Sequence, residues 1–496
     1  MDDVKKLDPN CLFSALQQFV VATGVSLETT DQEKANWVEA YVDQIDPQIF
    51  LSLYRGRGSK PHPPAQMFKL AVYQILKRHL SPAKWAREVC SDTILQGLIG
   101  CILPSRTALY NFCDRIGKII DRINQSLLLH AIEYEILAPT VGVLDGNSVR
   151  SYGSRHRIVN QKTLRRRRNE LNDAIIRDLH GDIQTTLPSW MGTTASGRSA
   201  QRDCYDKADL ILTQRTEENR TKRKASRRHI GKIYISLSDP EAGLSRDKEN
   251  VFCPMYCGQI LTDSKSLLIL GMDLSNRITD VGTIGPMLDQ VESCLGIKLA
   301  QVHADAAYSS LMDLQACAAR HVELIAPVQA NGLTKEKKSK KGKSQLSRDQ
   351  FNFDAATHTY TCPAGHPMPY HDRDNRQEVG GVVVMERFRQ DTEKCQACPL
   401  ANRCLRGAKQ RSIGRPVGYE IVEQQVAKMT DELALESRVL RAQTIELTNA
   451  DIKQRIGVRR FGVTTLDRAA LKDGETPPCT LAGLGEKMSS DDCLLA

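Results

Sequence analysis

The sequence predicts an α/β protein in which a mixed sheet flanked by helices follows an all-helical N-terminal domain and is interrupted by two insertions. Three observations lead to this fold class. Apolar residues recur at helical spacing up to about residue 130, short β-branched runs begin near residue 141, and helical patterns alternate with those runs. With 496 residues, of which 41% are hydrophobic, the chain can fill several packed cores.

The predicted N-terminal domain, residues 1–135, contains repeated helix-start signals. Pro63 and Pro64 precede the apolar pattern of PPAQMFKLAVYQILKRHL, and Ser81 with Pro82 marks a second start in SPAKWAREV. A third start follows at PSRTALYNFCDRI. Short helices joined by tight turns are typical of helix-turn-helix bundles, so we expect this domain to bind DNA. A helical packing domain that does not contact DNA remains the alternative.

The predicted α/β domain, residues 136–465, begins where the apolar period changes. TVGVLDG is a β-branched run, and YCGQILTD, SLLILGMDLS, KLAQVHAD and VELIAPV are further strand candidates. The helical pattern TIGPMLDQVESCLG lies between the third and fourth of these five runs. A long helical pattern, EIVEQQVAKMTDELALESRVLRAQTIELTNADIKQRIG, follows, and residues 466–496 are expected to form a poorly ordered tail.

Two insertions interrupt this domain. Residues 151–235 contain TLRRRRNELNDAIIRDL and RTEENRTKRKASRR, which are helix-like and strongly basic. Residues 331–412 begin with TKEKKSKKGKSQ, which has six lysines and no apolar side chain, so this loop should be solvated. A cysteine-rich segment completes the second insertion.

The positive charge of the chain is concentrated in one segment. The net charge is +9, and residues 151–229 alone hold 18 Lys and Arg against nine Asp and Glu. Such a field favours a polyanion, with the phosphates of double-stranded DNA as the expected partner. Solvated helical faces are the alternative. The candidate DNA-binding residues are Arg165, Arg166, Arg167, Arg168, Lys222, Arg223, Lys224, Lys453, Arg459 and Arg460.

Cysteine usage and hydropathy indicate the cytosol. The 15 cysteines, scattered from Cys11 to Cys493 without an even framework, fit a reducing compartment better than a disulfide scaffold. MDDVKKLDPN does not resemble a signal peptide, and no apolar run approaches the roughly 20 residues that span a bilayer. We therefore expect a cytoplasmic protein that does not bind membranes.

Two strand candidates end in an aspartate that is followed by small residues. They are VGVLDGNS with Asp145 and AQVHADAAY with Asp305. In an open α/β sheet, ligands bind beyond the carboxyl ends of the strands, so these acids are well placed to hold a metal or to accept a proton. A helix cap or a turn residue is the alternative for either aspartate.

A third candidate acid, Glu446, lies in the helical pattern RAQTIELTNADIKQRIGVRR. Glu446 and Lys453 share one helical face two turns apart. Glu432 and Glu436, earlier on the same stretch, are competitors, but neither has a lysine seven residues later. An ordinary solvated face with an ion pair is the alternative for these charges.

The order of a strand with Asp145, a strand with Asp305 and a helix with Glu446 resembles the DDE transposases of bacterial insertion sequences. LDGNSVRSYGS resembles the first strand of that family, SDPEAGL and YCGQILTD its middle hairpin, and HADAAYSS with HVELIAPVQ its second aspartate strand and the strand after it. The step from Glu446 to Lys453 matches the closing helix of the family, and residues 48–117 resemble its N-terminal helical domain. The resemblance covers about residues 50–465.

The resemblance implies a ribonuclease-H-like core in which Asp145, Asp305 and Glu446 hold two Mg²⁺ or Mn²⁺ ions. It implies metal-dependent cleavage and strand transfer at the terminal inverted repeats of an insertion sequence, by a homo-oligomer on DNA. Two features depart from the family pattern. Arg441 stands one residue early and the expected tyrosine is absent, and the basic insertion at residues 151–229 is longer than expected. A catalytically silent, domesticated transposase that binds DNA and a nuclease of the same fold are the alternatives.

Four cysteines form a group whose spacing is typical of a zinc site. Two thiolates two residues apart can bind one tetrahedral zinc from a tight turn, and two more can close the site. Separately packed thiols are the alternative, and His366 is a candidate substitute ligand. Transposases of this kind carry a similar group between the second aspartate and the glutamate, which implies a structural Zn²⁺ here. The group consists of Cys362, Cys395, Cys398 and Cys404.

Overall fold

The computed structural model describes residues 30–54, 61–181, 186–222, 224, 227–328, 346–378, 381–405, 407–450, 452–453 and 460. Within this part of the chain, no helix combines the length and the apolar character that a membrane crossing requires. Its cysteines are free thiols.

The helices begin where local signals favour them. Thr30 caps the first helix in a capping box with Glu33. The helix starts predicted at Pro64 and Pro82 coincide with the first residues of α3 and α4, since the fixed φ of proline suits the first helical turn. The helices are α1 Asp31–Val42, α2 Pro47–Leu51, α3 Pro64–Leu76, α4 Pro82–Glu88, α5 Thr93–Ile99, α6 Arg106–Ile116, α7 Ile120–Glu133, α8 Gln161–Leu179, α9 Ala195–Thr221, α10 Ile284–Leu295, α11 Leu311–Ala319, α12 Thr392–Gln396, α13 Ala401–Cys404, α14 Glu420–Lys428, α15 Asp431–Gln443 and α16 Ile445–Ala450. One apolar cluster packs helices α1 to α7 together.

Six strands form a mixed sheet in the order β4-β5-β1-β7-β8, with β6 paired to the same edge of β5 as β4. The strands are β1 Val141–Arg150, β2 Ile158–Asn160, β3 Tyr234–Ser236, β4 Gly243–Arg246, β5 Phe252–Asp263, β6 Ile269–Ser275, β7 Gln301–His303, β8 Glu323–Ile325, β9 Asn352–Asp354, β10 Thr359–Thr361, β11 Pro367–Glu378, β12 Gly381–Arg389 and β13 Ser412–Pro416. The central strand β1 is antiparallel to β5 and parallel to β7, which is parallel to β8.

Apolar clusters cover both faces of this sheet. Leu144 and Leu261 pack with α10 and α11 on one face. Val143 and Ile260 pack with Ile445 of α16 on the other face. The chain is therefore a mixed α/β protein, and β1 is buried between two helical layers.

Strand β1 is longer than the sequence predicts. The β-branched run ends at Asp145, but the strand continues to Arg150 because residues 142–150 pair with β5. The parallel partner β7 ends earlier, at His303, which pairs with Val143. Asp145 therefore lies inside its own strand, at the point where its parallel neighbour ends.

The first insertion is a helical hairpin on a small ribbon. The first predicted helical stretch corresponds to α8. Only residues 215–221 of the second stretch are helical, at the end of α9, which begins 20 residues earlier. Strand β2 pairs with β3 to form an antiparallel ribbon. An apolar cluster that includes Leu164, Leu171 and Leu212 joins the helices to the ribbon. Arg198, which is 5% exposed, forms an ion pair with Asp178 between the two helices.

The second insertion contains a sheet that the sequence pattern does not reveal. The lysine-rich stretch TKEKKSKKGKSQ lies outside the described residues. After it, five antiparallel strands form a sheet in the order β13-β12-β11-β10-β9. The long strand β11 is polar and largely exposed, so it lacks the apolar alternation that marks a half-buried strand.

Arg415 joins this sheet to α14. Its guanidinium, on a side chain that is 2% exposed, contacts Glu423 at 2.6 and 2.8 Å and Glu420 at 3.0 Å. It also lies 4.0 Å from the centroid of the Phe353 ring, in the distance range of a cation–π contact. Arg415 therefore links the five-stranded sheet to α14 through buried charged contacts.

The long helical pattern near the end of the α/β domain divides into three helices. Thr430 caps α15 through a hydrogen bond from Leu433 N–H. Thr444 has φ −121° and ψ −92°, which ends α15 and turns the chain into α16. Because of the turn at Thr444, α16 packs across β1.

Candidate active site

The register of two parallel strands places Asp145 and Asp305 side by side. Val141 pairs with Gln301 and Val143 pairs with His303, so the same offset brings Asp145 opposite Asp305 just beyond the end of β7. Both aspartates are partly buried. The structure thus brings two of the three predicted acids together.

Asp145 is in an unfavourable place for a negative charge. Burial raises its pKa to about 6, the nearby Arg441 guanidinium opposes this rise, and the carboxylates of Asp305 and Asp280 add to it. Arg441 Nη2 lies 3.9 Å from Asp145 Oδ1, and Asn449 Nδ2 donates a hydrogen bond of 2.9 Å to Asp145 Oδ2. The carboxylate is held in position on both of its oxygens.

Asp305 begins the 3₁₀ turn Ala306–Tyr308. Its Oδ1 accepts a hydrogen bond of 2.7 Å from Ala307 N–H, so the capping role that was the alternative for this residue is present in the fold. The same carboxylate is close enough to Asp145 to raise its pKa. Asp305 can therefore serve as a cap and as a member of an acidic pair.

The structure does not bring Glu446 to this pair. Glu446 is exposed, and none of the described residues forms a hydrogen bond or an ion pair with it. Glu432 and Glu436 are also exposed, on α15. Lys453 is partly buried one turn after Asn449. The side chain of the closing helix that contacts Asp145 is Asn449, three residues after Glu446.

Asp280 is a neighbouring acid that the sequence patterns missed. It follows β6 in a loop, and its Oδ1 accepts a hydrogen bond of 2.8 Å from Gln259 Nε2. A Cβ atom on Gly146 would lie 2.1 Å from this oxygen, so only glycine at that position lets Asp280 approach β1. Tyr308 OH donates to Gln259 Oε1 and links this group to the turn after Asp305. Asp280 escaped prediction because it stands in a loop and not directly after a strand.

Three buried polar atoms near Asp145 have no hydrogen-bond partner among the residues that the structure describes. They are Asn147 Oδ1, Asn449 Oδ1 and Arg441 Nε. Asn147 is 4% exposed and shares the face of β1 with Asp145, because alternate residues of a strand point the same way. Buried polar atoms without partners are rare in folded proteins. Because three such atoms lie around the carboxylate of Asp145, this part of the protein is a candidate binding site.

The described residues contain no group of three or more His, Cys, Asp or Glu side chains close enough together to hold a metal ion. At the acidic pair, Asp145 and Asp305 are two such side chains, and the remaining oxygen donors beside them are carboxamides. The donor set of the pair is therefore short of a third carboxylate.

The four cysteines of the predicted zinc site lie in one small lobe. Burial raises the pKa of the Cys404 thiol, Arg411 opposes this, and the other three cysteines each add to the rise. Leu400 N–H donates to Cys398 Sγ at 3.4 Å, and Arg411 N–H donates to Cys395 Sγ at 3.5 Å. His366 is exposed, and its carbonyl accepts from Cys362 N–H at 2.9 Å. The four thiols lie near one another, but they do not form a group in which three or more side chains are close enough together to hold a metal ion.

The four consecutive arginines of α8 have different environments. Arg165 and Arg166 are exposed. Arg167 lies 5.1 Å from the centroid of the Trp190 ring. Arg168 forms ion pairs of 2.7 Å with Asp206 and Asp209 of α9. Two of the four arginines therefore hold the helical hairpin together and two face solvent.

The remaining candidate basic residues are also divided. Lys222 and Lys224 are exposed after α9. Arg460 donates to the carbonyl oxygens of Ser151 at 3.1 Å and Gly153 at 3.3 Å, and its backbone bridges to Arg150. Arg223 and Arg459 lie outside the described residues.

Comparison with known proteins gives one match. Residues 361–472 match the family model of the transposase DDE domain. This segment is less than a quarter of the chain, and it contains the four cysteines and Glu446 but neither Asp145 nor Asp305. No curated protein and no solved structure matches the chain. Residues 361–472 are thus similar to the transposase DDE domain, which supports the resemblance to the DDE transposases.

Proposed function

We propose that this chain is a DNA transposase that binds the terminal inverted repeats of an insertion sequence, cuts the DNA there and joins the ends to target DNA. The observation that carries the proposal is the register of β1 and β7, which sets Asp145, inside β1, beside Asp305, just beyond the end of the parallel strand β7. The sheet order, with helices on both faces, supports a ribonuclease-H-like core for this pair. The family match supports a transposase or nuclease enzyme.

The oxygen donors at the acidic pair are of the type that Mg²⁺ and Mn²⁺ prefer. These hard cations prefer oxygen ligands, and two carboxylates with two buried, unpartnered carboxamide oxygens lie there. The raised pKa of Asp145 reflects a desolvated and repelled charge that a cation would stabilise. Two bound ions would supply an activated water or 3′ hydroxyl and would stabilise the leaving oxygen of the phosphodiester.

The side chains around the acidic pair would help this site to bind a phosphodiester. Asn449 and Arg441 fix the orientation of Asp145, and Ala307 N–H fixes Asp305. The small side chains of Ala306 and Ala307 leave room for a DNA backbone at the open end of β7. Arg441 also supplies a positive charge within reach of a phosphate oxygen. Glu446, which the family pattern selects as the third acid, is exposed on α16.

The first insertion supplies the surface for DNA phosphates. Its exposed basic residues among the described part of the chain lie before β2, on the hairpin and on the segment that joins α9 to β3, and they are Arg155, Arg157, Lys162, Arg165, Arg166, Arg177, Lys207, Arg220, Lys222, Lys224, Arg227, Arg228 and Lys232. Basic side chains that contact the DNA backbone release counterions and bind the phosphates without sequence specificity. Recognition of the terminal repeats is assigned to helices α1 to α7, and pairing of two ends to a homo-oligomer.

The cysteine lobe is proposed to hold one structural Zn²⁺. Backbone N–H groups point at the sulfur atoms of Cys395 and Cys398, an outer-shell contact that suits a thiolate ligand. The four thiols together form a donor set of the type that zinc prefers. A zinc ion would fix α12 and α13 to the five-stranded sheet.

The test uses a pre-nicked DNA end taken from the sequence that flanks the gene. Asp145→Asn and Asp305→Asn should bind this DNA as the wild-type chain does, but they should lose Mg²⁺-dependent cleavage and joining. Asp203→Asn removes an exposed aspartate of α9 and serves as the matched control, with wild-type activity expected. Cleavage that survives in Asp305→Asn would refute the assignment.

One observation favours a second candidate function, a catalytically silent transposase that binds DNA. The third acid is not assembled with the pair, because Glu446 is exposed on α16. A wild-type chain that binds the DNA end without cutting it in Mg²⁺ or Mn²⁺ would establish this alternative. A nuclease of the same fold would cut but would yield no strand-transfer product.

A further inference from the structure

We propose that the exposed rings of Tyr234 and Phe252, together with the basic side chains beside them, bind the unpaired bases of a single DNA strand. This inference goes beyond the proposed function, in which the basic insertion contacts the phosphates of duplex DNA. It concerns a different place in the fold, at the end of β5 that is remote from the acidic pair. The two rings are called the aromatic platform below.

The aromatic platform is a pair of rings on the surface. Tyr234, at the start of β3, is 39% exposed, and Phe252, at the start of β5, is 41% exposed. Their ring centroids lie 6.2 Å apart, with an interplanar angle of 74°. Among the described Phe, Tyr and Trp residues, this is the one contacting pair in which both rings are exposed. Because burial of aromatic side chains is favourable, a contacting pair left on the surface indicates a place where a ligand binds.

Buried polar contacts fix the two rings relative to each other. The connection from β3 to β4 carries Asp239, which is fully buried and accepts a hydrogen bond of 3.0 Å from the hydroxyl of Tyr256 in β5. From α9, Arg215 Nη2 donates to the carbonyl oxygens of Pro240 at 3.1 Å and Ala242 at 2.9 Å in the same connection. The platform is therefore ordered before a ligand binds, which reduces the entropic cost of binding.

Positive charge surrounds the aromatic platform. Lys232, two residues before Tyr234, is exposed, and the exposed Arg246 is the cross-strand neighbour of Phe252 in the register of β4 and β5. Arg246 Nη1 donates to the neutral carboxamide of Asn250 at 2.7 Å, a contact that leaves its charge in place. The rings therefore have a cation on each side.

The acids of the loop between β4 and β5 do not neutralise these cations. Asp247 and Glu249 both form ion pairs with Arg150 at the end of β1. Lys248, between them, is exposed and adds a further positive charge. The charge around the platform is therefore complementary to a polyanion.

Rings among cations match a single strand better than a duplex. Unpaired bases stack on aromatic side chains while the backbone phosphates contact basic residues, and this combination is typical of surfaces that bind single strands. In a duplex the bases are already stacked on one another, so the rings of Tyr234 and Phe252 would gain no such contact. The chemistry of the platform therefore selects unpaired bases.

The aromatic platform is separate from the acidic pair. Asp145 pairs with Ile260 of β5, and Phe252 begins the same strand. At a rise of about 3.4 Å per residue, the two places are about 27 Å apart along the sheet. Substitutions at the rings therefore leave the acidic pair intact, and the two activities can be measured independently.

The experiment measures binding of the full chain to a labelled oligothymidylate of about 12 nucleotides by fluorescence anisotropy. Tyr234→Leu and Phe252→Leu keep an apolar side chain but remove the ring, so each should weaken this binding by about fivefold or more. Both variants should bind a duplex of the same length as the wild-type chain does. Tyr234→Phe keeps the ring and should retain wild-type affinity for the oligonucleotide. Arg246→Gln should lower the salt slope of oligonucleotide binding by about 0.7, the value for one phosphate contact.

Tyr134→Leu is the matched control. Tyr134 is 73% exposed, but it stands between the exposed acids Glu133 and Glu135, so its loss should not change the affinity for the oligonucleotide. Wild-type affinity in both leucine variants of the platform overturns the inference, and so does an equal loss of oligonucleotide and duplex affinity. Weak oligonucleotide binding in Tyr234→Phe overturns it as well, because the ring is retained.

A further variant separates this inference from the proposed function. Asp145→Asn should lose cleavage and keep wild-type affinity for the oligonucleotide, since the acidic pair lies far from the platform. Cleavage that survives in Asp145→Asn, together with weak oligonucleotide binding in the leucine variants, refutes the proposed function and leaves this inference standing. Loss of cleavage in Asp145→Asn with wild-type oligonucleotide binding in the leucine variants has the reverse meaning.

Discussion

Replacing Asp145 by asparagine should stabilise the metal-free protein while it removes a carboxylate that the proposed reaction needs. The pKa of Asp145 rises from 3.8 to about 6, chiefly because the carboxylate is buried, with its side chain 21% exposed. About two pKa units at about 1.4 kcal/mol each correspond to roughly 3 kcal/mol against the folded, ionised state. Asparagine has the same shape and no charge, so it avoids this cost.

The pH dependence has a definite sign. The folded pKa of Asp145 is the higher one, so stability is greatest below pH 3.8 and is lost as the pH rises through about 6. The Asp145→Asn variant should therefore exceed the wild-type chain by roughly 3 kcal/mol at about pH 7.5 and by roughly 1 kcal/mol at about pH 4.5. The difference should vanish where Asp145 is protonated in both states.

Amide hydrogen exchange read by mass spectrometry is the suitable assay, with EDTA present. Trp37 and Trp85 lie in the N-terminal helices and Trp190 in the first insertion, so tryptophan fluorescence does not report on β1. Peptides that cover β1 should exchange roughly 150-fold more slowly in Asp145→Asn at about pH 7.5, and roughly fivefold more slowly at about pH 4.5. Mn²⁺ should slow exchange in the wild-type chain and not in the variant.

Asp289, in the same domain, is a control for which the expected change in stability on replacement by asparagine has the opposite sign. The hydrogen bond from Arg320 lowers the pKa of Asp289, whose side chain is 58% exposed. Asp289→Asn should therefore lose stability at neutral pH, by less than about 1 kcal/mol because solvent screens the pair. Equal exchange in the wild-type chain and Asp145→Asn at both pH values would show that the Asp145 charge is not disfavoured by its surroundings.

Three further predictions concern the insertions. Urea denaturation should show that Arg415→Ala lowers the free energy of unfolding of the cysteine lobe by about 2–3 kcal/mol. This is the lower end for a buried ion pair, because both glutamate partners are half exposed. Arg373→Ala, at an exposed arginine, should change the same free energy by no more than about 0.5 kcal/mol. The double change Arg165→Ala and Arg166→Ala should lower the salt slope of DNA affinity by about 2 without a change in melting temperature, and an unchanged slope would exclude phosphate contact. Metal analysis should find about one zinc per chain and far less in Cys398→Ser; near-zero zinc in wild-type protein purified without chelator would refute the zinc site.

Local sequence signals gave correct predictions for features that depend on the conformation of the local backbone. Pro64 and Pro82 begin helices because their fixed φ suits a first turn, whatever packs on the helix afterwards. The β-branched run before Asp145 forms the central strand of the sheet. In contrast, the polar strand β11 gave no signal, because its pairing with β12 and not its own burial keeps it extended. The break of the long helical pattern at Thr444 was likewise missed, since no proline or glycine marks it.

The sequence by itself determined the mixed α/β class, the basic hairpin, the cysteine group and two aspartates at equivalent places on their strands. Only the tertiary structure decided which side chains stand across from those aspartates. Periodicity tells which face of a helix a residue occupies, but Glu446 and Asn449 lie close together on α16, and the turn at Thr444 decides which of them reaches Asp145. Asp280 approaches β1 because Gly146 lacks a side chain, a condition set by packing across a sheet and invisible along the chain.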